Sequence, residues 1–65
     1  MKTWIAYLEK DDRKYFVDRG DKTEIMGMVN RKATELELPD EIIHDIEYVE
    51  MNYIPSTWLN CEELI

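Results

Sequence analysis

Only a few side chains in this sequence are equipped to make or break bonds, and they stand apart from one another. His44 is the only histidine, with Asp45 beside it and Glu41 three positions earlier. An imidazole among carboxylates can hold a metal or act as a base. Zinc sites, however, take three or four protein ligands, and this chain offers neither a second histidine nor a set of cysteines. Cys61 is the only cysteine, lacks a base in its neighbourhood, and is followed by Glu62 and Glu63, whose charges oppose thiolate formation. The carboxylate pairs Asp11-Asp12, Asp40-Glu41 and Glu62-Glu63 would do acid–base work only in a cleft that raises one pKa, and 65 residues leave little volume for a cleft. No phosphate loop, dinucleotide fingerprint, nucleophile elbow or calcium loop is present. The chain reads as a non-enzyme with no metal site and no cofactor.

Recognition chemistry is better represented. The stretch from Asp40 to Glu50 threads five carboxylates (Asp40, Glu41, Asp45, Glu47 and Glu50) between apolar residues, without a Lys or Arg. Surface carboxylates are ordinarily just solvated, so the wider distribution matters more than the run. All eight basic side chains lie at or before Lys32, against six acidic ones, a net of +2. The remaining 33 residues carry nine acidic side chains and no basic one, a net of −9, and the two halves restore the chain's −7. Mixed charge would serve solubility equally well, so the separation points to electrostatic choice of partner. The negative total opposes direct binding to nucleic acid or anionic lipid, both of which rely on Lys and Arg.

Carboxylates interleaved with Tyr and Ile suit a basic protein surface, such as that of a nucleic-acid-binding enzyme, where complementary potential speeds association. The expected contact set is Asp40, Glu41, Asp45, Glu47 and Glu50 as phosphate-like charges, with Tyr48, Tyr53 and Trp58 as apolar anchors. In size and charge the chain looks like the small acidic inhibitors made by phages and mobile elements, a likeness of type that no motif carries. The alternative is a homodimer or larger homo-oligomer. The seven aromatics fall on both parities of the expected strands, one helix covers one sheet face, and the uncovered face could pair with a second copy unless the C-terminal residues fold over it.

The elements that must position these residues form one domain, 1–65. A hydrophobic content of 45% is too high for a disordered chain. The lone thiol and the lack of a secretory apolar segment lead us to expect a cytoplasmic protein, and no apolar run is long enough for a membrane span. Strands are expected near residues 3–9 and 14–18, joined by a four- to five-residue loop. Asp21 and Glu24 suggest a capping box opening a helix over 22–36, whose Ile25, Val29, Ala33 and Leu36 share one face. Gly27 marks either close packing or a weak spot.

Residues 40–53 read two ways, as a helix with Ile42, Ile46, Val49 and Tyr53 on one face, or as a strand near 45–53 after a turn. The strand is preferred because a lone hairpin is marginal. The expected fold is therefore α+β, ββαβ, a three-stranded antiparallel sheet of order 2-1-3 with one helix on one face and a short C-terminal turn or helix capped at Ser56-Thr57. A β-hairpin with two helices is the alternative.

Overall fold

The two β-branched and aromatic runs at the start of the chain pair with each other. In the computed structural model, which describes residues 3–64, β1 (Thr3–Lys10) and β2 (Arg13–Gly20) form an antiparallel hairpin. The loop is tighter than expected, because Lys10 pairs with Arg13 and only Asp11 and Asp12 turn the chain. Both have positive φ, 54° and 63°, which a primed two-residue turn requires and which Gly or Asn would adopt at lower cost. A bulge opposite Ala6 and Tyr7 leaves Val17 without a partner. Val17 then joins the buried cluster, while Asp18 pairs with Ala6 on the same face.

The helix α1 (Ile25–Glu35) buries Ile25, Val29 and Ala33, the stripe anticipated from the 3.6-residue period. Its start differs from the expected capping box. Glu24 is the N-cap without a side-chain bond, and the main-chain carbonyl of Asp21 accepts the N–H groups of Glu24 and Ile25 at 3.0 and 2.8 Å. The helix therefore begins at Ile25 rather than Lys22. Its end is a Schellman motif. Glu37 N–H donates to the Thr34 carbonyl at 3.2 Å and Leu38 N–H to the Ala33 carbonyl at 3.0 Å, with Glu37 at a φ of 54° where glycine is usual. Gly27 is exposed and a Cβ there would meet nothing, so it is a weak spot and not a packing requirement. Gly20 is the glycine at a close approach, since a Cβ would lie 2.5 Å from Met28 Sδ.

The ambiguous segment resolves as both structures in succession. α2 (Asp40–His44) is little more than a turn, and β3 (Ile46–Met51) follows at once. The crossover lays β3 antiparallel beside β1, so the expected 2-1-3 order is present. The sheet nevertheless has four strands, in the order β3-β1-β2-β4. β4 (Leu59–Asn60) pairs parallel to β2 at Tyr15 and Phe16, so the sheet is neither three-stranded nor antiparallel throughout. The chain turns at Ser56-Thr57, where Trp58 N–H donates to the Pro55 carbonyl at 3.1 Å, and the short C-terminal helical turn is the 3₁₀ segment Cys61–Leu64 after β4. A hairpin with two helices does not describe the chain, because residues 46–51 pair in the sheet.

β3 and β4 occupy opposite edges, so residues 52–58 must cross one face of the sheet. Trp58 packs on Tyr7 with ring centroids 4.9 Å apart, and Tyr7 has the parity opposite to the core residues Ala6 and Leu8. The crossing is therefore on the face away from α1. Ile5, on that face, is only 1% exposed. The main core lies on the other side, where Ala6, Leu8, Val17, Ile25, Val29 and Cys61 meet. Each fully buried aliphatic side chain there is worth about 1.5–3 kcal/mol relative to exposure.

Candidate functional site

The acidic stretch is organised by one proline and one strand. Pro39, at φ −63° and ψ 150°, is the N-cap of α2, and its carbonyl accepts the N–H groups of Ile42 and Ile43 at 3.0 and 3.1 Å. Asp40 and Glu41 occupy the first turn, exposed, where the unpaired N–H groups favour negative charge. Asp45 caps the other end, beside the exposed His44. Two carboxylates of the run thus lie on α2, Asp45 links it to β3, and two lie on β3, an outer strand of the sheet, in a half of the chain that has no Lys or Arg.

Strand alternation then divides the last two. Glu47 pairs with Tyr7 on the face crossed by residues 52–58, whereas Glu50 pairs with Trp4 on the helix side. These two belong to one edge but not to one face. The expected aromatic anchors are also dispersed. Tyr48 is half-buried against the helix-side core, and Trp58 is half-buried on the opposite face, against Tyr7. Tyr53 alone is free, 74% exposed just beyond β3.

Sequence reasoning passed over Tyr7, although strand parity placed it opposite Leu8 and Ala6. Its hydroxyl donates a 2.7 Å hydrogen bond to Glu47 Oε2. That bond, then burial, then the charges of Glu47 and Glu9, hold the phenol above its ordinary pKa of 10.0, because ionisation would lose the donated proton and place two negative charges together. Lys14 sits over both rings of this tilted pair, its Nζ 5.6 Å from the Tyr7 centroid and 6.0 Å from that of Trp58. Beside it an open cleft of about 510 Å³ is lined by Glu9, Asp12, Arg13, Lys14 and Trp58 among others. The volume falls within the range of ligand sites, roughly 300–1,000 Å³. The lining charges cancel in pairs, so the cleft selects neither anion nor cation.

The Cys61 thiol is pushed above its ordinary pKa of 9.0, first by burial and only then by Glu62, while Lys32 pulls the other way. Burial therefore matters more than the acidic neighbours that the sequence emphasised, and the side chain packs as a small apolar group. Among the described residues no group of three or more His, Cys, Asp or Glu side chains is placed to hold one metal ion, and no helix is long and apolar enough to cross a membrane.

Comparison with family models, with curated proteins and with solved structures finds no match to this chain.

Proposed function

We propose that this chain is a non-enzymatic binding protein whose acidic α2–β3 edge docks on a basic surface of another protein and inhibits or modulates it. The observation that carries the reading is the charge separation: five carboxylates from the start of α2 to the end of β3, with no Lys or Arg after residue 32. The mechanism is occlusion. Asp40, Glu41, Asp45, Glu47 and Glu50 stand in for spaced phosphates before partner Lys and Arg, and the exposed ring of Tyr53 supplies apolar contact. Partners of that type are nucleic-acid-handling enzymes, and a phage or mobile-element origin suits a small inhibitor of them. Pairing of two copies through the aromatic sheet face is the weaker reading, since residues 52–58 cross that face and Ile5 is closed off beneath them.

The test is capture of a basic partner from lysate at low salt, followed by direct titration of the purified pair. The expected outcome is affinity that falls steeply as salt rises and drops at least tenfold in the D45N/E47Q/E50Q variant. A partner that binds equally well at high salt and to that variant would overturn the acidic-edge reading.

A further inference from the structure

The manner of docking can be taken further, on the premise that the acidic-edge reading holds. β3 is an outermost strand, so alternate residues along it turn their N–H and C=O groups away from β1. Among the described residues no backbone hydrogen bond outside the β1 ladder reaches residues 46–51. Natural sheets usually blunt such an edge with Lys, Pro or a bulge. β3 has no Lys, Pro or bulge, its only charges are Glu47 and Glu50, which repel an acidic strand but not a basic one, and its register with β1 runs unbroken from Thr3–Met51 to Leu8–Ile46.

The placement of Glu47 and Glu50 says what fits there. Because they project from opposite faces, a surface laid on either face reaches one of them and not the other. A strand laid alongside β3 reaches both, since residues opposite each other on neighbouring strands share a face. We infer that β3 is a β-augmentation site that takes an extended segment of the partner protein, with Lys or Arg three positions apart, one meeting Glu47 and the other Glu50. A second copy of this chain is a poor occupant. Pairing β3 with β3 sets one Glu47/Glu50 edge against another, and part of the more basic β2 edge is already taken by β4 at Tyr15 and Phe16.

The probe is a short synthetic Val/Thr peptide with two Arg three positions apart. It is compared with a peptide whose Arg are two apart, and so on one face, and with a copy of the first that is N-methylated at alternate residues. Titration and amide exchange on the intact chain should show the first peptide binding at least tenfold more tightly than either control, with exchange slowed specifically at residues 46–51. Equal, salt-sensitive binding of the N-methylated peptide would leave the acidic reading standing and overturn strand pairing. Failure of all three peptides to bind would overturn it as well. So would light scattering that shows a concentration-dependent dimer with residues 46–51 protected in the absence of peptide. Binding of the first peptide that persists at high salt and in E47Q/E50Q would instead remove the charge premise while leaving the edge.

Discussion

The two edges of this sheet are built on opposite plans. At the β2 side the edge is basic in its own side chains, with Arg13, Lys14 and Arg19, and the chain returns to cover part of it with β4 and the Cys61–Leu64 turn. That return also brings the exposed Glu62 and Glu63 to the β2 side of the sheet. At the β3 side the charged side chains of the strand are both acidic, and among the described residues no further strand pairs with it. A chain this small, which buries only about 60% of its unfolded surface, covers one edge with its own C-terminus and leaves the other to charge. The comparison teaches that sequence asymmetry does not carry over unchanged into space. Of the nine late carboxylates, two are returned to the β2 side, and five run from the start of α2 to the end of β3.

The contrast can be broken most severely at Trp58. It anchors residues 52–58 to Tyr7 and so holds β4 against β2. Trp58→Ala should destabilise the fold by about 2–3 kcal/mol, below the roughly 3–5 kcal/mol of a fully buried aromatic because the ring is half-buried. Chemical denaturation measures the loss, and faster amide exchange at Tyr15 and Phe16, with β3 unchanged, would show that only the covered edge had opened. A smaller effect is expected from changes remote from both edges. Glu37→Gly relieves a positive φ at the helix C-terminus, and Gly27→Ala fills an open helical position. Each should raise stability by about 1 kcal/mol in urea melts without altering exchange at either edge.

Tyr7→Phe removes the bond that ties Glu47 to the face crossed by the C-terminal segment, and should cost about 0.5–1 kcal/mol at neutral pH because the bond is near solvent. The pH dependence has a definite sign. The folded phenol has a raised pKa, so its contribution is complete below about pH 10 and is lost as pH climbs through the folded value. The wild type should therefore lose stability above pH 10 more steeply than Tyr7→Phe, as thermal melts across that range would show. The smallest effect is expected at Glu50, which is exposed. Glu50→Gln should change stability by less than about 0.5 kcal/mol, while weakening any partner that follows the free edge.

Much of the fold is legible in the residues. The hairpin runs, the Ile25, Val29, Ala33 stripe and the 2-1-3 relation of the first three strands follow from periodicity and from the handedness of crossovers. The tight Asp11-Asp12 turn was not, because an Asp-Asp pair lacks the Gly or Asn that signals positive φ. The Asp21 capping box failed for a related reason. Its side chain and its carbonyl compete for the same N–H groups, and sequence does not say which wins. Of the candidate site, the five carboxylates could be listed beforehand, but not that Tyr48 would be drawn into the core and Trp58 onto Tyr7.

What the sequence determined by itself is local and compositional: the charge separation at Lys32, the strand and helix periods, and the alternation that sends Glu47 and Glu50 to opposite sides of β3. Those properties depend on covalent order and backbone geometry alone. Tertiary structure decided which edge would be left open and which face would be crossed. β4 is two residues long and has no signal of its own; it pairs because burying Trp58, Leu59 and Cys61 draws the C-terminus across the sheet to β2. Burial is a property of the whole assembled surface, so the free acidic edge at β3 follows from where the rest of the chain found its cover.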